Sequence, residues 1–288
     1  MKKIIFLLLA ISIIACKEQK KGGDGSTENT KNDSIKVTLH VLEGGTVIAN
    51  KLELFSEDTT YTGQSKQFAD AYYVIQHPKG NLMWDAGLPE SLVGMAEPFT
   101  DPSGAFTVSR KDSLKNQLKA IGLTVDDFKY IALSHSHFDH VGHANALKNT
   151  TWLVQENEYD FFTSDSAKTK QADIYKAIKD LNNVQKLNGD YDVFGDSTVV
   201  IKSMPGHTIG HQVLYLDLAL ERPVLLTGDL YHFEENRTHK RVPMFNYDIP
   251  LTKKSIEAFE SFAAEKNADV FIQHSQKDFE RLKSLLNN

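Results

Sequence analysis

The sequence predicts an α/β (α+β) chain whose His and Asp side chains gather where strands end, and three observations carry that expectation. Short apolar runs with strand character alternate with stretches of helical period. Gly, Asn, Asp and Pro punctuate the boundaries between them. His and Asp recur where the strand runs stop, most densely in Ser134-His135-Ser136-His137-Phe138-Asp139-His140-Val141-Gly142-His143.

That last segment organises the rest. Its core, His135-x-His137-x-Asp139-His140, follows directly on the apolar run Tyr130 to Leu133, a predicted buried strand. Three imidazoles and a carboxylate on one strand-end loop can converge on an ion, and further donors must then come from elsewhere in the chain.

The chain opens with Lys2 and Lys3, an apolar run from Ile4 to Ile14, and Ala15 before Cys16. The run is shorter than the roughly 20 residues that span a bilayer, so residues 1–15 are expected to be a signal peptide. Ile13-Ile14-Ala15-Cys16 resembles the lipobox of bacterial lipoproteins, which implies an exported protein. It would be anchored at Cys16 to a membrane, facing the periplasm or the cell exterior. Lys17 to Ser34 contains no apolar side chain and cannot offset the entropy of ordering, so residues 16–34 are expected to form a disordered tether. Residues 35–288 then form one catalytic-sized domain with no evident linker or repeat. Cys16 is the only cysteine, so the folded body has no disulfide framework and no thiolate to offer a metal. A formal net charge of -6 provides no basic excess for nucleic acid, and no membrane contact is expected beyond the lipid anchor.

Within the body, Ile35 to Leu42 alternates apolar and polar residues and predicts a half-buried strand ended by Gly44-Gly45. Ala71 to Ile75 and Asn81 to Trp84, joined through His77-Pro78-Lys79-Gly80, predict a hairpin that delivers Asp85-Ala86-Gly87 to a strand end. Asp85 is either a turn residue or a buried carboxylate that orients a ligating His from behind. Pro89 to Ser109, with Met95 and Phe106, is either a flap over a site or a packed surface loop. Asp112 to Ile121 predicts a helix stopped by Gly122, and Thr124 to Asp127 a short capped turn.

After the motif, Ala144 to Leu147 predicts a short helix and Thr151 to Gln155 a strand, and Glu156 to Asn183 is largely helical in pattern. Its Tyr159, Phe161 and Phe162 serve either the core or a substrate wall. Val184 to Leu187, Tyr191 to Phe194 and Thr198 to Ser203 are strand-like, and the last runs into Met204-Pro205-Gly206-His207-Thr208-Ile209-Gly210-His211. His211 opens a further strand as a structural or supporting residue. Pro223 to Thr227 ends at Gly228-Asp229, where the carboxylate is placed either to cap a turn or to bridge two ions. Lys253 to Ala264 predicts an amphipathic helix, and Asp269 to Ile272 a last strand ending at Gln273-His274. Five His and two Asp thus stand at strand ends, enough for two metals sharing a carboxylate; zinc accepts such N and O donors and keeps an open position when catalytic.

In this order of residues, from Asp85-Ala86-Gly87 through the histidine motif, His207, Asp229 and His274, the chain resembles the metallo-β-lactamase superfamily. The resemblance implies a four-layer αβ/βα sandwich, two mixed β-sheets flanked by helices, with a site for two Zn2+ at one edge. It implies His135, His137 and His207 around one ion, Asp139, His140 and His274 around the other, and Asp229 between them. Ser134 to His143, Pro205 to His211 and Gly228-Asp229-Leu230-Tyr231-His232 are most similar to N-acyl homoserine lactonases, the quorum-quenching hydrolases. Members that act as true β-lactamases lack the bridging Asp. Several lactonases of the family place a Tyr three residues after it, where this chain has His232, with Tyr231 one position earlier.

The expected activity is therefore metal-assisted opening of a small acyl lactone, with Asp139 passing a proton and His232 polarising the carbonyl. Tyr231, Phe161, Phe162 and Met95 are the expected substrate contacts, together with apolar walls from Pro89 to Phe106 and Val242 to Tyr247. The alternative is a hydrolase of the same fold for another lactone, ester or β-lactam. A lipid-anchored metal- or signal-binding module without turnover is a third reading. A homodimer is expected by analogy with similar lactonases.

Overall fold

The computed structural model describes residues 36–287. The expected signal peptide, the lipid attachment at Cys16 and the tether lie outside the described residues. Strands β1 (Thr38–Ala49), β2 (Lys66–His77), β3 (Gly80–Trp84), β4 (Phe99–Thr100), β5 (Phe106–Ser109), β6 (Phe128–Ala132), β7 (Thr151–Gln155) and β8 (Val184–Leu187) form one sheet in the spatial order β4-β5-β1-β2-β3-β6-β7-β8. A second sheet takes β9 (Tyr191–Asp192), β10 (Val199–Ser203), β11 (Gln212–Leu216), β12 (Val224–Leu226) and β13 (Asp269–Phe271) in the order β13-β12-β11-β10-β9. The helices are α1 (Leu114–Ala120), α2 (Glu156–Phe162), α3 (Asp165–Lys170), α4 (Ala172–Ile178), α5 (Glu234–His239), α6 (Ile249–Lys266) and α7 (Gln276–Leu286).

Side-chain alternation decides the layering, because successive residues of a strand face opposite sides of its sheet. In β2, Ala71, Tyr73 and Ile75 enter the core between the sheets, while Tyr72 and Val74 face the outer layer that includes α1 and α4. In the second sheet, Leu214, Leu216, Val224 and Leu226 meet the first sheet, whereas Val213 and Leu225 turn outward to Ile256 and Phe259 of α6. Strands buried on both faces read as continuous apolar runs. Each fully buried aliphatic or aromatic side chain among them contributes about 1.5–3 kcal/mol of transfer free energy. The result is the expected sandwich of helices, two mixed sheets and helices.

Strand direction explains why the chemistry collects at one rim. β3, β6 and β7 are mutually parallel, so their C-terminal ends leave the first sheet on the same side. In the second sheet β10 and β12 are both antiparallel to β11, and β12 is parallel to β13, so β10, β12 and β13 also end together. Asp85, the histidine motif, His207, Asp229 and His274 each follow one of these ends.

Several elements differ from the sequence reading. Gly44-Gly45 does not end β1: the strand continues to Ala49 through a bulge between Glu43 and Gly45. Gly44 is required there because a Cβ would stand 2.7 Å from Asp70 Oδ2 and 2.9 Å from Gly87 Cα. Pro89 to Ser109 is partly sheet, since β4 and β5 extend the edge beyond β1. Glu156 to Asn183 is broken into three short helices, with Ser164 capping α3 by accepting from Ala167 N–H. α5 and α7 were not anticipated.

Candidate metal centre

The histidine loop is laced to the turn after β3. Asp85 N–H donates to Ala132 O at 2.9 Å, Ala86 N–H to His140 O at 2.8 Å, and Gly142 N–H to Gly87 O at 2.7 Å. Asp85 adopts φ 63°, a left-handed conformation that Asp tolerates better than most residues. It is the buried orienting carboxylate: Oδ1 accepts from Ser134 N–H at 2.5 Å, and Oδ2 lies 3.1 Å from His140 Nδ1 and accepts from Gln273 Nε2 at 2.7 Å.

The structure gathers all seven expected ligands. His135, His137, His207 and Asp229 form one group whose donor atoms lie within 4.8 Å of one another, and Asp139, His140 and His274 form a second. Asp229 spans the two. Its Oδ2 lies 3.5 Å from His135 Nε2 and 3.3 Å from His207 Nε2, and its Oδ1 lies 3.2 Å from His140 Nε2 and 3.1 Å from His274 Nε2. Asp139 stands 3.9 Å from His140 Nε2 and 3.8 Å from His274 Nε2.

These residues fit a cation on the donor set alone. His140 Nε2 and His274 Nε2 face each other at 3.3 Å, and His207 Nε2 and His137 Nδ1 at 3.1 Å, so each pair needs a proton or a metal between its nitrogens. His135 Nε2 is buried without a hydrogen-bond partner among the described residues. The far side of four of the rings, those of His135, His140, His207 and His274, is held, which aims the lone pair inward. His135 Nδ1 meets Ser134 Oγ at 3.0 Å, His207 Nδ1 meets Asn246 Oδ1 at 2.8 Å, and His274 Nδ1 meets the Ala69 carbonyl at 2.8 Å. His211 is a support, not a ligand. Its Nδ1 lies 3.0 Å from the Met204 carbonyl, and its Nε2 accepts from Asp229 N–H at 2.9 Å.

The electrostatics are asymmetric. Burial holds His135 and His137 well below the usual imidazole pKa, with neighbouring imidazoles adding to the effect. Burial opposes charge on His140 and His274, but the carboxylates together outweigh it, Asp229 with Asp85 at His140 and Asp229 with Asp139 at His274. His274 is raised to about 9 and His140 also lies well above the ordinary value. Asp229 is buried, yet the surrounding imidazoles, His274 and His140 foremost, keep its carboxyl well below the carboxylate range.

A cavity of about 330 Å³ opens onto this centre. Leu54, Phe55, Phe68, Phe106 and Phe138 wall it, and Asp139, Asp229, His232 and His274 form its floor. His232 Nε2 lies 3.0 Å from Asp229 Oδ2, and its ring stacks on His274 with centroids 5.5 Å apart. Burial lowers its pKa to about 4, so the ring is neutral at pH 7. Its Nδ1 is buried without a partner, which favours the tautomer with the proton on Nε2, where Asp229 accepts it. His232 could also join Asp229 and His274 as a third donor group. Unlike the rings of His135, His140, His207 and His274, however, it has nothing among the described residues holding its far nitrogen.

The expected substrate contacts fare unequally. Tyr231 does not face the cavity: its ring packs on Phe259 and its hydroxyl donates to Glu260 Oε1 at 2.7 Å. Met95 lies on the exposed surface and lines neither this cavity nor the smaller depression beside it. Phe161 lines that smaller depression, of about 140 Å³, with His137, His207 and Tyr247, while Phe162 touches it only from the core. Phe245 borders both spaces. Asn246 and Gln273 escaped the sequence reading as ligand supports; position 273, immediately before a ligand, was the available signal for one of them.

The model of the metallo-beta-lactamase superfamily matches residues 68–274. An N-acyl homoserine lactonase of a Bacillus species is 32% identical over 209 residues, covering 70% of this chain and 79% of that protein. The N-acyl homoserine lactonase AttM of Rhizobium radiobacter is 28% identical over 256 residues, covering 83% and 93%. A solved N-acyl homoserine lactone hydrolase, with N-hexanoyl-L-homoserine bound at its catalytic metal centre, aligns with a TM-score of 0.73 at 27% identity, covering 87% of this chain and 96% of that one. By the extent of the family match and the ligand order it spans, this chain belongs to the metallo-β-lactamase superfamily.

Proposed function

We propose that the protein is a dinuclear metallohydrolase, with zinc as the native metal, that opens the lactone ring of N-acyl homoserine lactones. The observation that carries this reading is the pair of three-donor groups bridged by Asp229 at the floor of an apolar cavity. The similarity to N-acyl homoserine lactonases supports the substrate class. The donors are imidazole and carboxylate without thiolate, which suits zinc in a catalytic setting.

Metal ions held there would supply Lewis acidity and lower the pKa of water at neutral pH. The chain's own residues do the rest. Asp139 reaches the cavity floor, where its carboxylate can take a proton from the attacking water as its oxygen bonds to the lactone carbonyl carbon, and deliver it to the ring oxygen as the ring C–O bond breaks. In this structure the His232 Nε2–H is given to Asp229; with that carboxylate oxygen engaged by an ion, the proton would be free to donate to a carbonyl oxygen as negative charge develops on it. The apolar wall takes the acyl chain and excludes water. The expected lipid attachment at Cys16 would place this activity outside the cytoplasm, where a diffusible acyl lactone passes. His232, in place of the family Tyr, favours a second reading, a different lactone or ester at the same centre.

The purified protein, after its metal content is counted, is offered N-acyl homoserine lactones of several chain lengths in a weakly buffered pH-indicator assay. Acid release is expected. Two bound ions and no acid release would sink the lactonase reading while leaving a hydrolase for other esters to be found with a wider panel. His232→Phe should lower kcat by about 10²–10³-fold, the usual cost of losing one donor to a developing oxyanion; an unchanged rate removes His232 from the reaction.

A further inference from the structure

We propose that Glu158 is a positioning residue: it fixes the spacing between two ligand loops and thereby sets the affinity of the ion held by His135, His137 and His207. The inference rests on the reading that both donor groups hold ions, and it assigns a further residue to that site.

Glu158 lies in the first turn of α2, where a glutamate ordinarily points to water, yet it is 2% exposed. Its Oε1 accepts from Ser136 N–H at 2.8 Å, and its Oε2 accepts from Gly210 N–H at 2.9 Å. Ser136 stands between His135 and His137, and Gly210 stands between His207 and His211. One carboxylate therefore ties the backbones of two loops that come from different sheets. Asn157 adds another tie, its Nδ2 donating to Ile209 O at 2.8 Å.

The approach is close enough to dictate the residue opposite. A Cβ on Gly210 would lie 2.5 Å from Glu158 Cβ and 2.7 Å from Asn157 Oδ1, so only glycine lets the loop reach this brace. Burial pushes the Glu158 pKa up, opposed by the hydrogen bonds from the Gly210 and Ser136 backbones. The second donor group is held differently. Asp85 supports His140, and the Ala69 carbonyl supports His274. Loosening Glu158 should therefore weaken one ion and spare the other.

Glu158→Gln preserves size and one acceptor but turns an NH2 toward one of the two backbone N–H groups. The full protein is stripped of metal and titrated with Zn2+ and, separately, Co2+ against a competing chelator. The affinity of one ion is expected to fall about 10- to 100-fold, the usual effect of removing a ligand's support, with the other little changed. The Co2+ absorption spectrum should alter in the same bands as that of His207→Ala, which identifies the weakened ion. Asn157→Ala, at an exposed side chain, should give a smaller loss at the same ion, and keeps the test open should Glu158→Gln fold poorly. If the variants lower only the unfolding temperature of the metal-free protein and leave the ratio of the two affinities unchanged, the proposal is overturned. Wild-type protein that binds a single ion overturns the two-ion reading itself, whatever the variants do.

Discussion

At the scale of single residues, the two halves of the centre hold protons differently before any metal arrives. In the metal-free protein His274, raised to about 9, holds a proton at neutral pH and His140 is shifted in the same direction, whereas burial disfavours charge on His135 and His137. Metal binding at the Asp139, His140 and His274 group must displace protons held there, so its affinity should rise with pH until about 9. The other group should show little pH dependence over the same range from His135 and His137. Chelator-competition titrations at pH 6.5, 7.5 and 8.5 check this; equal pH dependence at both ions would contradict it. The seven candidate ligands were legible in the sequence because each is a His or Asp at a strand end. Asn246, Gln273 and Glu158 were not, because an amide or carboxylate becomes a support only through contacts the fold creates. Tyr231 and His232 show the limit sharply: the backbone is extended at Tyr231, so neighbouring side chains point to opposite sides, one into the α6 core and the other to the metal floor.

At the scale of elements, the glycines at the loop crossings matter most. A Cβ on Gly142 would lie 2.2 Å from the Leu88 carbonyl carbon and 2.3 Å from Pro89 N, both backbone atoms that cannot swing aside. Gly142→Ala should cost about 3 kcal/mol or more, the upper range for forcing atoms into a packed site. Urea denaturation of the metal-free variant measures it; a loss below 1 kcal/mol would show that the Leu88–Pro89 turn yields. Most strands were legible from apolar runs bounded by turn residues. The bulge in β1 was not, because a glycine pair reads as a stop unless one knows that Asp70 and Gly87 crowd its other face. α7 carries Phe279, Leu282, Leu285 and Leu286 on one side behind the Ser275 cap, a helical signal that the sequence reading passed over beside the His274 ligand.

At the scale of the molecule, the candidate ligands come from both sheets, so metal bound there would link the two halves of the sandwich. An ion that binds only the folded state adds about 4 kcal/mol when present at a thousand times its dissociation constant. For a domain of this size, chelation should lower the unfolding temperature on the order of 10 °C. Thermal scans with and without chelator test this, and coincident transitions would mean that the centre is not coupled to the fold. Periodicity alone predicted strands and helices but not which strands would be neighbours, and the family resemblance implied two mixed sheets without the order of strands in either.

The shared direction of the strands also has a practical side. β1 runs the same way as β3, and its first residue pairs with Gln76, near the Pro78-Lys79 turn and far from Asp85. The described chain therefore enters at the rim opposite the cavity. A carrier, bead or fusion partner joined ahead of Lys36 would be applied to that far rim, and immobilising the enzyme through this end should leave the cavity mouth open to solution.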